Sequence, residues 1–289
     1  MLPLRIRGKL LPDDRALVMA IVNRTRDSFY DRGATWQQDK AIAAVDRAVA
    51  EGADIVDIGG VKAAPHGEQV DAAEEIRRVV GFIGLVRERH PDLVISVDTW
   101  RSEVAREACL AGADLINDTW QGADPGLGEV AAEFGTGMVC SHTGGVTPRT
   151  RPFRVRFEDV VADVIDQVTA EAERLVGLGV PREGILVDPT HDFGKNTWHG
   201  LALLRRLDEL VARDWPVLMA LSNKDFIGET LNADLDHRVD GTLAGTAVAA
   251  WTGARVFRCH QVAQTRHVVE MVAAIAGTRP PAGVVRGLA

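Results

Sequence analysis

Five stretches of this chain end alike: a short β-branched apolar run stops on, or just before, a side chain that can ionise or hydrogen-bond. Leu93–Asp98 reads Leu-Val-Ile-Ser-Val-Asp, Ala113–Asn117 reads Ala-Asp-Leu-Ile-Asn, and Ile185–Asp188 reads Ile-Leu-Val-Asp. Pro216–Ser222 leads into Lys224, and Arg255–His260 carries Arg258 and His260 at alternate positions. An apolar run of this length fits a strand buried on both faces, so Asp98, Asn117, Asp188, Lys224, Arg258 and His260 stand where strands surface. The set offers carboxylate acceptors, an amide with both donor and acceptor, a compact ammonium, and an Arg/His pair suited to charge-assisted bonds. A single polar strand end is most often a cap or a turn. Their recurrence at so many strand ends points to one site assembled by many strands.

Eight strand-like runs must position these residues: Leu17–Asn23, Asp54–Gly59, Leu93–Asp98, Ala113–Asp118, Gly137–His142, Gly184–Asp188, Pro216–Ser222 and Ala254–His260. Helix-period segments alternate with them at Trp36–Glu51, Val70–His90, Ser102–Ala111, Leu127–Phe134, Phe157–Leu178, Trp198–Arg213, His237–Thr252 and Val262–Ala276. Within the fifth, Val160, Val161, Val164, Ile165, Val168, Ala172, Leu175 and Val176 make an apolar stripe opposite Asp and Glu. Three helices exit through Gly-Ala at Gly52, Gly112 and Gly253, where glycine suits the left-handed cap position. Alternating strands and helices with short loops predict an α/β fold, a (β/α)8 TIM barrel, with its chemistry at the carboxyl ends of the strands. Leu4–Leu10 is expected as a small strand or hairpin across the bottom. No composition shift marks a linker, so residues 1–289 are expected to form a single domain.

Hydrophobic residues make up 46% of the chain, enough for a large core, and no low-complexity or charge-block segment interrupts it. Asp and Glu outnumber Lys and Arg by 41 to 33, for a net charge of −8. Nucleic acid and anionic membranes are therefore poor partners, and an anionic small molecule needs a local basic cluster. The N-terminus has no apolar signal-like region and the chain has no 18-residue uncharged apolar run. A soluble cytoplasmic protein is expected. Cys109, Cys140 and Cys259 lack paired spacing, which argues against a disulfide framework or a zinc site.

The motifs at these strand ends carry a resemblance. Asn23-Arg24-Thr25-Arg26-Asp27-Ser28-Phe29, Asp57-Ile58-Gly59-Gly60, Ser96-Val97-Asp98-Thr99 and Ile116-Asn117-Asp118 come first. Asp188-Pro189, Phe193-Gly194-Lys195, Ser222-Asn223-Lys224 and Arg258-Cys259-His260 follow in order. Over essentially the whole length the chain resembles dihydropteroate synthase, an enzyme of folate synthesis. The resemblance implies a barrel, usually homodimeric, that joins a pterin carrying a CH2-diphosphate to p-aminobenzoate with Mg2+ assisting diphosphate departure. It implies that Asp98, Asn117 and Asp188 read the pterin edge, with Phe193 in the same pocket, and that Lys224 bonds ring acceptors. Arg258 and His260 would clamp the diphosphate, Asn23 would lie near the diphosphate and its Mg2+, and Asp27 would help stabilise the pterin methylene cation. The dimer interface is expected on the helices His237–Thr252 and Val262–Ala276.

Departures from the family pattern cluster on the side expected to hold p-aminobenzoate. After Gly60 the family typically continues Glu-Ser-Thr-Arg-Pro-Gly, whereas here Val61-Lys62-Ala63-Ala64-Pro65-His66 follows. The usual Pro after the first-loop Thr is Arg26, the usual Ser after Lys224 is Asp225, and Asp188-Pro189 continues into Thr190-His191-Asp192 rather than Gly-Ile-Gly. An ionised Asp225 facing a substrate carboxylate would cost up to about 4 kcal/mol at a separation of about 4 Å. The pattern resembles the divergent second dihydropteroate synthase paralogue of some actinobacteria. A retained pterin-diphosphate pocket with weak or lost synthase activity is expected. The alternatives are an active synthase using Lys62 and His66 in its second loop, a transferase with a different amine acceptor, and a non-catalytic pterin or phosphate binder acting through a protein partner.

Overall fold

The computed structural model describes residues 3–25, 36–62, 67–150 and 155–286. Strand β1 (Arg5–Ile6) turns back antiparallel into β2 (Lys9–Leu10). Arg7 and Gly8 hold φ of 46° and 80° between them, the left-handed pair that a two-residue hairpin requires. The barrel strands follow: β3 (Leu17–Asn23), β4 (Ile55–Gly59), β5 (Val94–Asp98), β6 (Leu115–Asp118), β7 (Gly137–Ser141), β8 (Ile185–Asp188), β9 (Leu218–Met219) and β10 (Val256–Cys259). They form one eight-stranded sheet, ordered β8-β7-β6-β5-β4-β3-β10-β9, with every pairing parallel. The sheet meets itself where Val187 bridges Val217 and donates its N–H to the Pro216 carbonyl at 3.0 Å. All eight strands fall inside the ranges read from the sequence.

Helices α1 (Gln38–Ala50), α2 (Ala72–Arg89), α3 (Ser102–Ala111), α4 (Gly126–Phe134), α5 (Val160–Leu178), α6 (Thr197–Arg205), α7 (Leu207–Val211), α8 (Asp225–Leu231), α9 (Val239–Thr252) and α10 (Val262–Ala276) complete the alternation. The expected Gly exits hold, with φ of 95° at Gly52, 115° at Gly112 and 114° at Gly253. Two features differ from the expectation. The segment Trp198–Arg213 divides into α6 and α7 at Arg206, whose guanidinium bonds Asp159 at 2.9 Å and Glu209 at 2.6 Å. Helix α8 has no counterpart among the helix-period segments, because seven residues directly after a strand give too short a window for the helical period to register.

Side-chain alternation divides the apolar residues into two layers. One set packs between strands and helices, including Val18, Ile58, Val97, Ile116, Val164 and Phe257. The other fills the barrel interior: Leu17, Met19, Ile55, Val94, Leu115, Val139, Leu186, Leu218 and Val256. Leu4, Ile6 and Leu11 pack with this inner set, so the N-terminal hairpin closes the bottom.

Candidate functional site

Two residues further along five of the strands, the inward parity that carries the inner core turns polar. Ile55 gives way to Asp57, Val94 to Ser96 and then Asp98, Leu115 to Asn117, Leu186 to Asp188, and Val256 to Arg258 and then His260. Asn23 holds the same parity at the end of β3, paired in register with Gly59, which pairs in turn with Asp98. Period-two geometry therefore aims all of these side chains toward the carboxyl end of the barrel interior.

Asp57 is fully buried and forms the hub. Ser96 donates its hydroxyl at 2.6 Å, Asn117 its amide N–H at 3.0 Å, and Arg258 its Nε–H at 2.6 Å. The same guanidinium reaches Asp98 Oδ2 at 2.7 Å, and Thr119 donates a long bond of 3.4 Å to the other Asp98 oxygen. Burial pushes the Asp98 carboxyl up to about 7, against the opposing pull of Arg258. Burial works against the Arg258 charge, yet Asp57 and Asp98 hold its pKa above the ordinary value. Asp188 is buried, accepts the Thr190 N–H at 2.7 Å, and is raised by burial while Lys224 opposes the shift. Asp57 lies within the Asp57-Ile58-Gly59-Gly60 motif, but its place as the hub is not evident from the sequence. Its signal was a charge inside the apolar run Ile55–Gly59 rather than at the end.

The loops after the strands complete the mouth. Lys224 donates to the His191 carbonyl and its ammonium lies 5.1 Å from the Phe193 ring centroid, within cation–π range. Phe193 meets Trp120 edge-on at 5.1 Å, and Trp120 meets Trp100 at 6.3 Å; no local pattern in the sequence marks either tryptophan as part of the mouth. Lys195 ties the loop carrying Phe193 by donating to the carbonyls of His142 at 2.7 Å, Phe193 at 3.0 Å and Thr190 at 3.2 Å. Burial draws Lys195 down to about 7. Burial, then the Arg258 charge, depresses His260 to about 3, so its imidazole is neutral at pH 7. Positive charge at this strand end therefore rests on Arg258 alone. That guanidinium faces two carboxylates in the barrel, Asp57 and Asp98. Asp27, Arg26 and the second-loop residues Ala63, Ala64, Pro65 and His66 lie outside the described residues.

Asp225 corrects a second expectation. Its side chain is 78% exposed and bonds Arg238 at 2.8 Å, so its charge is directed to the rim and neutralised there. The carboxylate that meets the start of α8 is that of Asp192, which accepts the N–H of Asp225 at 2.6 Å and of Phe226 at 3.4 Å. Asp192 carries a left-handed φ of 68°.

Among the described residues no group of three or more His, Cys, Asp or Glu could hold a metal ion. Asn23 offers one amide oxygen, whereas Mg2+ commonly combines one or two protein oxygens with water and substrate phosphate. These donors do not form a resident metal site; they suit only an ion that arrives on a substrate's phosphates.

His191 packs against the Phe226 ring, with 5.1 Å between centroids. It is fully buried, bonds the Gly200 carbonyl through Nε2 at 3.2 Å, and is depressed by burial to about 3. Because the folded pKa lies below the unfolded one, the unfolded chain takes a proton that the native state refuses as pH falls below about 6.5. Stability from this group is present above that pH and lost below it. His191→Gln is expected to flatten the decline, sparing about 2 kcal/mol between pH 6.5 and pH 5. Urea midpoints of both proteins at the two pH values measure the difference.

A parallel eight-stranded barrel with an apolar floor and a mouth lined by carboxylates, an amide and cations has the architecture of a (β/α)8 barrel that gathers its polar groups at the carboxyl face. The model of the family described as "Pterin binding enzyme" matches residues 19–260, and the chain belongs to that family. It is 65% identical over 286 residues to "Inactive dihydropteroate synthase 2" of Mycobacterium leprae, covering 98% of each chain. It is 36% identical over 254 residues to the dihydropteroate synthase of Haemophilus influenzae, covering 88% of this chain and 92% of that one. Among solved structures, the Yersinia pestis dihydropteroate synthase with a sulfonamide drug superposes with a TM-score of 0.88 at 33% identity, covering 96% and 100%. The expected family and barrel are both borne out.

Proposed function

We propose that this chain is a dihydropteroate synthase-like barrel that holds a pterin diphosphate and condenses it with p-aminobenzoate weakly or not at all. Asp98 on β5, Asn117 on β6 and Asp188 on β8 share the inward parity at the carboxyl end of the barrel, with acceptors and donors that match an aminopyrimidine edge. Phe193 supplies an apolar wall and Lys224 a compact charge for ring acceptors. Asn23, Arg258 and His260 stand at the phosphate end. In the family reaction the CH2–O bond breaks with its electron pair on the diphosphate, the aromatic amine forms the new C–N bond, and the amine proton leaves. Arg258 would neutralise the leaving group, and Asp27 on the first loop would stabilise the methylene cation. A Mg2+ bound to the diphosphate would add charge neutralisation there, with Asn23 as a side-chain donor.

The single observation favouring weak condensation is that Asp192 occupies the backbone N–H groups of Asp225 and Phe226. An incoming carboxylate at that end of the mouth meets a fixed carboxylate instead of free donors, and like charges there repel. The name of the M. leprae relative agrees with this reading. Calorimetry with pterin diphosphate and a pteroate-formation assay with p-aminobenzoate test it together. Binding is expected, with kcat/KM at least about a thousandfold below that of the H. influenzae enzyme, a deficit of about 4 kcal/mol. Robust rescue of a strain lacking dihydropteroate synthase would refute the loss.

The proposed working form is a cytoplasmic homodimer of one pterin-binding unit over residues 1–289. No helix among the described residues is long and apolar enough to cross a membrane, and the three cysteines are buried and free. Val248 and Trp251 on α9 are 55% and 63% exposed, and Met271 and Ile275 on α10 are each 61% exposed. Each pair falls at helical spacing on one face, and an exposed apolar patch of this kind suits burial against a second copy. Light scattering is expected to give twice the 31.2 kDa chain mass for the wild type, and the single-chain mass for Trp251→Glu combined with Met271→Glu.

A further inference from the structure

Arg258 holds the two carboxylates in the manner of a ligand. Its Nε and a terminal nitrogen span Asp57 and Asp98 at 2.6 and 2.7 Å, presenting a planar fork of N–H donors. An aminopyrimidine edge is also a planar set of N–H donors that seeks carboxylates. Asp98 is the half of this bridge open to exchange: its side chain is 15% exposed, and its only other described donor is the long bond from Thr119. Asp57 keeps the Ser96 hydroxyl and the Asn117 amide when the guanidinium leaves. The bridge can therefore open without stranding a buried carboxylate, provided that an incoming ring supplies donors to Asp98.

We infer that Arg258 is a specificity-determining exchange residue: it occupies the heterocycle's seat on Asp98 until a ligand's phosphate groups draw its guanidinium away. This rests on the pterin-diphosphate reading of the site. A bare pterin must displace Arg258 without giving it a new anion, so it binds weakly. A pterin bearing diphosphate replaces both halves of the bridge, donors for Asp98 and acceptors for Arg258. Ring and diphosphate binding are thus coupled favourably through one side chain, and the coupling is reciprocal.

Calorimetry on the full-length wild type tests this with 6-hydroxymethylpterin titrated in the absence and presence of saturating inorganic diphosphate. Diphosphate is expected to tighten pterin binding about five- to tenfold, and pterin to tighten diphosphate binding by the same factor. Unchanged or weakened binding overturns the exchange. Arg258→Met removes the competitor and is expected to bind the bare pterin more tightly than wild type, while losing most of the preference for pterin diphosphate. A weaker affinity for the bare pterin in a folded variant also overturns it; if the variant does not fold, the wild-type coupling decides. Failure of the wild type to bind pterin diphosphate at all removes the pterin reading itself, and this inference with it. Binding without coupling removes the exchange alone.

Discussion

Asp57→Ala is expected to lower the stability of the barrel by about 3 kcal/mol, near the lower end of the cost of breaking a buried ion pair. The carboxylate is fully buried and accepts from Ser96, Asn117 and Arg258, so its removal leaves three donors without their acceptor at once. Arg258 keeps its bond to Asp98, which places the cost at the low end of the range. Asp57→Asn retains one carbonyl acceptor at almost the same volume and should recover part of the loss. Urea denaturation of the three proteins measures this, and an Asp57→Ala midpoint within error of wild type would show that the hub carries no energy. Because Asn117 and Arg258 are oriented by Asp57, affinity for pterin diphosphate should fall with stability rather than independently of it.

Gly194→Ala should be more damaging, at about 4 kcal/mol or above, the range reserved for changes with an identifiable backbone cause. Gly194 holds a φ of +63°, and a Cβ there would stand 2.1 Å from the Thr143 carbonyl oxygen and 3.0 Å from its carbon. Neither atom belongs to a side chain that can rotate away, so the loop after β8 must move. That loop presents Phe193 to the mouth and is held by the three carbonyl bonds of Lys195. Pterin-diphosphate affinity is accordingly expected to drop at least about tenfold in whatever fraction folds. Gly145→Ala is the control. Its φ of +80° brings a similar intrinsic strain, but nothing lies within 4 Å of the added carbon. It should cost only about 1–2 kcal/mol. Equal losses at the two positions would mean that the contact with Thr143 is immaterial.

By itself the sequence determined the alternation of strands and helices, the glycine exits and the parity of the polar strand ends. These are local properties: period, cap chemistry and apolar run length act over a few residues, and they place Asp98, Asn117, Asp188, Arg258 and His260 where strands surface. It also carried enough motif order to indicate the family. Only the tertiary structure decided which of those side chains bond each other. Asp57 and Arg258 are 201 residues apart in sequence and 2.6 Å apart in the fold, and no local pattern contains that pairing. The same is true of Asp225, which pairs with Arg238 at the rim, and of Asp192, which reaches across from another loop to the start of α8. A side chain's direction is set by whichever neighbours compete for it, and those neighbours are brought together by closure of the barrel, not by the spacing of residues along the chain.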